Sequence, residues 1–185
     1  MLSPDVDGYG PGCLTGAISE SSNVRRQASN KLQKQYRSRY YDCARVVLDT
    51  AVIVAATRSD AGASRQLVLA ALEKRYELLL SVPLVLEYEA VLKGPVQLVV
   101  SHGTLQEIDK LLDALISVSR PVHRSFFWRP LLRDANDDMV LEAALSGHAD
   151  MLVTFNQGDF EPETSALGID VVVPREALKR IKEER

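Results

Sequence analysis

The feature that most constrains the fold is the alternation of short apolar runs with amphipathic stretches over residues 44–185. The short runs are rich in Val, Ile and Leu and predict strands at 45–49, 76–82, 151–154 and 169–173. Strands that alternate with helices indicate a parallel sheet covered on both faces. We therefore expect an α/β domain, a three-layer α/β/α sandwich with a central, mostly parallel sheet.

Amphipathic helices are expected between and after these strands. The clearest pattern covers 105–118, where Leu and Ile recur on one face. The other predicted helices show similar spacing or a proline suited to a first turn: 62–74, 138–146, and the segments that follow Pro83 and Pro174. Residues 52–56 prolong the apolar character of the first strand, and 120–133 is predicted as a loop rich in Arg and aromatic residues.

The chain divides near residue 43. Residues 1–43 contain only six Leu, Ile, Val or Phe, too few to build a core. We expect a low-complexity, disordered N-terminal extension over 1–43, followed by a domain over 44–185. The basic and aromatic residues of 25–41 could instead form an arm that touches RNA.

Composition excludes several classes of protein. The chain has 185 residues and a net charge of −3, so it does not hold nucleic acid by bulk charge. It has no apolar run of about 18 residues and no secretory pattern, so we expect a cytoplasmic protein with no membrane association. The two cysteines, Cys13 and Cys43, indicate neither a zinc site nor a disulfide framework, and the three histidines lack metal-ligand spacing.

Acidic residues fall where a parallel sheet presents a ligand site, outside the carboxyl ends of its strands. Asp49 directly follows the first predicted strand, and Asp159 lies five residues beyond Thr154, the end of a later one. Two further acidic groups lie at the start of predicted helices or along them: Asp134, Asp137 and Asp138 in one group, and Glu87 and Glu89 in the other.

Each acidic residue alone has a purely structural explanation. Asp49 and the 134–138 group suit helix capping and the helix dipole, Glu87 and Glu89 flank an apolar stripe, and Asp159 suits a loop. Together they favour a hard divalent cation, because four carboxylates in one partly buried pocket resist joint ionisation without one. Mg²⁺ and Mn²⁺ suit oxygen ligands and can activate water for attack on a phosphodiester.

Four segments carry a family resemblance. In chain order they are 46–50 (VVLDT), 83–92 (PLVLEYEAVL), 133–138 (RDANDD) and 152–160 (LVTFNQGDF). The sequence resembles PIN-domain nucleases, and among them the VapC-like toxins of bacterial toxin–antitoxin pairs. Any single motif is weak, but four in the family's order across most of 45–175 are specific.

The resemblance implies four catalytic acids, Asp49, Glu87, Asp138 and Asp159, of which Asp49, Asp138 and Asp159 bind Mg²⁺ or Mn²⁺. It favours Glu87 over Glu89, between which periodicity does not choose. In the implied mechanism, Asp49 and Asp138 hold the metal beside the scissile phosphate, while Asp159 and Glu87 complete its shell or orient a water.

The implied auxiliary residues are Thr50, as a hydrogen-bond partner of Asp49, and Asp134, Asp137 and Asn156.

The implied activity is hydrolysis of RNA by an endoribonuclease that leaves 5′-phosphate and 3′-hydroxyl ends. The resemblance also implies a toxin role with a cognate antitoxin, and a homodimer. Because 44–185 holds 16 basic and 21 acidic residues, RNA must be drawn by local basic residues. The candidates are Arg58 and a loop with Arg120, His123, Arg124, Arg129 and Arg133. The aromatic residues 126–128 could stack on bases, or belong to the core or a partner-binding groove.

Ala51 departs from the family pattern, which usually has Asn there. Loss of a residue that supports a metal ligand typically costs about 10–100-fold in affinity or activity. We therefore expect weakened chemistry, and the alternative is a catalytically inactive PIN-like binding or scaffold protein. A phosphatase with an aspartyl nucleophile is the rival from another reaction class. Asp49 could be the nucleophile of such a phosphatase, but the second acid that this class needs should lie two residues later, where this chain has Ala51.

Overall fold

The protein is described by a computed structural model over residues 43–101, 103–123, 135–160, 164 and 167–183. The chain divides between Asp42 and Cys43. The predicted N-terminal extension lies outside the described residues except for Cys43, which is exposed.

A five-stranded parallel sheet forms the centre of the described domain. Its strands are β1 (Arg45–Leu48), β2 (Glu77–Leu80), β3 (Arg120–Pro121), β4 (Met151–Val153) and β5 (Asp170–Val172). Their order across the sheet is β3-β2-β1-β4-β5. The predicted α/β/α fold with a parallel sheet is confirmed.

Seven α-helices accompany the sheet in the described part of the chain. They are α1 (Thr50–Arg58), α2 (Ala63–Leu72), α3 (Val82–Leu92), α4 (Pro95–Ser101), α5 (Leu105–Val118), α6 (Ala135–Gly147) and α7 (Pro174–Glu183). α6 packs against β1, β2 and β4, while α1 packs against α2 and α3. None of these described helices is long and apolar enough to cross a membrane.

The core lies where helices cover the central strands. Val46, Val47 and Leu48 of β1 have no exposed surface, and Leu152 and Val153 of β4 have none either. Consecutive buried residues mean that both faces of these strands are covered, as expected for a parallel sheet. The four predicted strands correspond to β1, β2, β4 and β5, each within two residues at either end.

Residues 52–56 form part of α1 rather than an extension of β1. Asp49 ends the strand and becomes the N-cap of the helix, with its side chain accepting a hydrogen bond from the backbone of Ala51. Val52 and Ile53 are fully buried, so their apolar character serves helix packing. An apolar run of this length does not by itself distinguish a buried strand from a buried helix.

Two elements differ from the sequence-based expectation or were not predicted. Arg120–Pro121 forms β3 instead of starting the predicted loop, and its backbone pairs with Leu79 and Leu80 of β2. Proline is tolerated there because β3 is an edge strand. The short helix α4 was not predicted, and Val96 and Val99 lie exposed on it, which gives the segment no amphipathic pattern. The remaining part of the predicted loop, 124–133, lies outside the described residues.

The strand order shows that strands are added first on one side of β1 and then on its other side. From β1 the chain moves to β2 and β3 on one side, then returns to β4 and β5 on the other. The boundary between β1 and β4 is thus a topological switch point, and ligands of open α/β sheets bind outside the carboxyl ends of the strands at such points. The residues that follow Leu48 and Val153 occupy this position.

Candidate active site

Asp49 is held rigidly at the carboxyl end of β1. Its backbone N–H donates to the Val153 carbonyl at 2.9 Å, which adds a last rung between β1 and β4. Its Oδ2 accepts the Thr154 hydroxyl at 2.7 Å, and its Oδ1 accepts the Ala51 N–H at 3.4 Å. Only 9% of the residue is exposed. The capping contact is the longer one, so the orientation of the carboxylate depends chiefly on Thr154.

Thr154 supports Asp49, a role that was not predicted from the sequence. It is fully buried, and its hydroxyl donates to Asp49 while accepting the Asn156 N–H at 3.0 Å. A hydroxyl has one proton and two lone pairs, so it can make both bonds at once. We expected Thr50 to support Asp49 by a hydrogen bond, but the described donors to the Asp49 carboxylate are Thr154 and the backbone of Ala51. Thr50 is the first residue of α1 and makes no side-chain hydrogen bond with a described residue.

Asp159 lies in a short 3-10 turn, Gln157–Asp159, that follows β4. The side-chain amide of Asn156, one of the predicted auxiliary residues, donates to Asp159 Oδ2. Asp159 and Asn156 are exposed, whereas the next residue, Phe160, is fully buried and anchors the turn. The hydrogen bonds of Thr154 and Asn156 therefore connect Asp49 and Asp159 across two neighbouring strands.

Asp137 and Asp138 lie in the first turn of α6 and are half-buried. The helix ends at Gly147, only four residues before β4 starts, so its C-terminus lies at the amino edge of the sheet. Because α6 packs along β1, β2 and β4, its N-terminus lies toward the opposite edge, where Asp49 is. Asp134 lies outside the described residues.

The two acids of α3 differ in their partners. Glu89 forms an ion pair with Lys93 at 2.6 Å, and Lys93 also pairs with Asp109 at 2.6 Å. These hydrogen bonds, first to Asp109 and then to Glu89, raise the pKa of Lys93 to about 12. Glu87 is half-buried and makes no hydrogen bond or ion pair with a described residue. Glu89 thus has a structural role, which is consistent with the choice of Glu87.

Tyr88 lies between these acids and points into the core. It is 1% exposed, and its hydroxyl donates to the carbonyl of Leu48, the residue before Asp49. Burial, reinforced by the nearby charge of Asp49, raises the pKa of Tyr88 well above its usual value. The hydroxyl therefore keeps its proton and remains a donor, which joins α3 to the end of β1.

A family model described as the PIN domain matches residues 45–158. The chain belongs to the PIN domain family. The matched segment includes Asp49, Glu87 and Asp138 and ends one residue before Asp159. PIN domain membership indicates a nuclease, a hydrolase of phosphodiester bonds, and PIN domains generally depend on divalent metal ions. The chain matches no curated protein.

A divalent cation in this PIN domain would need several oxygen donors close together. In the described residues, no three acidic, histidine or cysteine side chains form a group able to hold a metal ion. The ligand set of Asp49, Asp138 and Asp159 therefore stays a prediction. Mg²⁺ is usually held by one or two carboxylates together with water. Among the described residues, Oδ1 of Asp49 has only the 3.4 Å contact with Ala51, and Asp159 is exposed, so these residues fit such an ion.

Of the arginines predicted to bind RNA, the structure describes only Arg58 and Arg120. Arg58 ends α1, about 13 Å along the helix axis from Asp49. Its guanidinium donates to Oε1 of Gln97 at 2.9 and 2.5 Å, and Gln97 in turn donates to Thr57 at 2.9 Å. Arg58 thus fixes α4 against α1, a structural role that the sequence did not indicate. Arg124, Arg129 and Arg133 lie outside the described residues.

Proposed function

We propose that this PIN domain is an endoribonuclease that depends on Mg²⁺ or Mn²⁺. The observation that carries the proposal is the hydrogen-bonded connection from Asp49 through Thr154 and Asn156 to Asp159. It links two carboxylates at the boundary between β1 and β4, where sheets of this topology bind ligands. A structural cap for α1 would need only the contact between Asp49 and Ala51.

The protein's own residues have distinct tasks in this proposal. Thr154 holds Oδ2 of Asp49 and thereby fixes the orientation of the carboxylate, and Asn156 orients the carboxylate of Asp159. Asp138 contributes from the start of α6, and Glu87 completes the shell of the metal or orients a water for attack. A bound Mg²⁺ or Mn²⁺ would lower the pKa of a water and offset the charge that develops on the phosphodiester.

Binding of RNA by an acidic domain requires basic residues placed near the site. Arg175, Lys179 and Lys182 are exposed and lie on one face of α7, which begins directly after β5 at the carboxyl edge of the sheet. Such a row of cations suits the phosphate backbone of a nucleic acid. We propose that it acts together with the predicted arginines Arg124, Arg129 and Arg133. The choice of RNA over DNA rests on the family resemblance.

Ala51 supports the alternative, a catalytically weakened or inactive PIN-like scaffold protein. The residue is exposed in the first turn of α1, and its methyl group supplies no hydrogen bond near Asp49. Thr154 already orients the carboxylate from the other side. We therefore propose reduced activity rather than its loss.

We also propose that the chain is the toxin of a toxin–antitoxin pair and acts as a cytoplasmic homodimer with a cognate antitoxin. The support is the set of four motifs found in the sequence. Induction of the chain alone should arrest growth, and co-expression of a small protein encoded next to its gene should restore it. Normal growth on induction, with the protein folded and abundant, would argue against the toxin role and leave the nuclease proposal intact.

Calorimetric titration with Mn²⁺ tests the metal site. Wild type should bind, Asp49→Asn should abolish binding, and Asp159→Asn should weaken it about 10–100-fold. The matched control is Asp113→Asn, which changes an exposed acid on α5, far in sequence from all four motifs, and should leave binding unchanged. Absence of binding, or equal binding by all four proteins, would overturn the proposal. Cleavage assays with the same variants then separate an enzyme from a scaffold.

A further inference from the structure

Tyr88 makes a directional contact between the two elements that carry Asp49 and Glu87. Its hydroxyl donates to the carbonyl of Leu48, the last residue of β1. Asp49 follows Leu48 directly, and Glu87 precedes Tyr88 directly on α3. The hydrogen bond therefore lies one residue from each of the two acids along the chain.

The buried residues that flank Tyr88 on this face of α3 are apolar. Leu84 and Leu92 lie one helical turn before and after Tyr88, and both are at most 1% exposed. Apolar burial favours close packing but is not directional, so it leaves small rotations and shifts of the helix nearly equal in energy. A hydrogen bond restricts both distance and angle. The Tyr88 hydroxyl is thus suited to fix how α3 sits against the end of β1.

We propose that Tyr88 is a positioning residue of the nuclease site, whose hydroxyl holds Glu87 at its working separation from Asp49. The inference rests on the proposed function, in which these two acids act together. Tyr88 is only 1% exposed, so its side chain is shielded from anything bound at the surface. Its effect reaches the site through the backbone of Leu48 and through α3.

Tyr76 offers a matched control. It is 3% exposed, and its hydroxyl donates to the Leu67 carbonyl at 3.0 Å, so Tyr76→Phe also removes one buried phenol-to-carbonyl hydrogen bond. Tyr76 lies just before β2, at the amino edge of the sheet, and Leu67 belongs to α2. Both substitutions should reduce stability to a similar extent, but only Tyr88→Phe should disturb the site.

The experiment measures three properties of wild type, Tyr88→Phe, Tyr76→Phe and Asp49→Asn. They are the free energy of unfolding, the Mn²⁺ dissociation constant, and the rate of amide hydrogen exchange without metal. Tyr88→Phe should weaken Mn²⁺ binding about tenfold, near the lower limit for loss of a supporting partner. The Tyr88→Phe substitution should also accelerate hydrogen exchange of the backbone amides in residues 49–53 and in α3. In Tyr76→Phe, the Mn²⁺ affinity and the exchange of 49–53 should match those of wild type.

The outcomes separate this inference from the proposed function. If Asp49→Asn loses Mn²⁺ binding while Tyr88→Phe binds and exchanges like Tyr76→Phe, the positioning role is wrong and the nuclease site stands. If wild type binds no Mn²⁺, both are wrong. Weakened Mn²⁺ binding in both Phe variants to the same extent would also overturn the positioning role, because a general loss of stability would then explain the effect.

Discussion

Replacement of Thr154 by valine is the most informative single change outside the acidic residues. Valine has nearly the same shape as threonine, so the buried volume at the end of β4 stays filled. The substitution removes the donor to Asp49 Oδ2 at 2.7 Å and the acceptor of the Asn156 N–H at 3.0 Å. It therefore breaks the connection between Asp49 and the turn that carries Asp159.

The expected loss of stability follows from these two contacts. A hydrogen bond to a charged group contributes about 1.5–3 kcal/mol, and one between neutral groups about 0.5–1.5 kcal/mol. Asp49 is only 9% exposed, so water cannot fully replace the lost donor. We expect Thr154→Val to lower the free energy of unfolding by about 2–4 kcal/mol. This is a large part of the roughly 5–15 kcal/mol that stabilises a typical domain.

Urea denaturation measures this loss, and two controls isolate its cause. Thr164 is equally buried, but its hydroxyl donates to the neutral Phe160 carbonyl at 2.8 Å, so Thr164→Val should cost only about 0.5–1.5 kcal/mol. Thr154→Ser keeps the hydroxyl and should retain the Mn²⁺ affinity of wild type. If Thr154→Val costs no more than Thr164→Val, the hydrogen bond from Thr154 to Asp49 does not stabilise the end of β1 as proposed.

Three further predictions address the site, the metal and the response to pH. Ala51→Asn should raise the rate of RNA cleavage about tenfold or more, because it restores the side chain that the family usually has beside the first acid; an unchanged rate would mean that Thr154 already suffices. Mn²⁺ at about 100 times its dissociation constant should raise the free energy of unfolding of wild type by about 2.7 kcal/mol, whereas Asp49→Asn should not respond. Hydrogen bonds from the backbone and hydroxyl of Thr104 lower the pKa of Glu107 from its usual 4.5. The Glu107 carboxylate thus stabilises the start of α5 above pH 4.5, and this contribution is lost as the pH falls through its lowered pKa. The stability difference between wild type and Glu107→Gln should shrink on acidification, and a difference independent of pH would contradict this account.

The fold could be predicted where local pattern and tertiary environment agree. α5 covers 105–118 as expected, because its apolar face is regular and Thr104 with Glu107 forms a capping box at its start. The secondary structure of residues 52–56 was harder to predict, because an apolar run fits either a buried strand or a buried helix. The helix cap at Asp49 makes this segment a helix. β3 consists of only two residues, both exposed, and it forms through its pairing with β2. Its local sequence therefore does not indicate a strand.

For the candidate site, the sequence predicts the acidic residues but not the residues that hold them in place. Asp49 and Asp159 are singled out because each is an acid that follows a predicted strand, and the family resemblance adds Asn156. Sequence motifs do not reveal what holds these groups, since Thr154 lies 105 residues from Asp49 and Tyr88 lies 40 residues from Leu48. Such contacts depend on which strands become neighbours. A threonine at a strand end beside a candidate acid is the signal that could have identified Thr154.

A cleavage assay on a single-stranded RNA, with analysis of the product ends, tests directly whether this site is a metal-dependent nuclease centre. Wild type should cut in Mg²⁺ or Mn²⁺, leave 5′-phosphate and 3′-hydroxyl ends, and stop when the metal is chelated. Asp49→Asn should not cut, whereas Asp113→Asn should cut like wild type. Cleavage that persists in Asp49→Asn, or that continues without divalent metal, would contradict the claim that the carboxylates at the ends of β1 and β4 form the catalytic site.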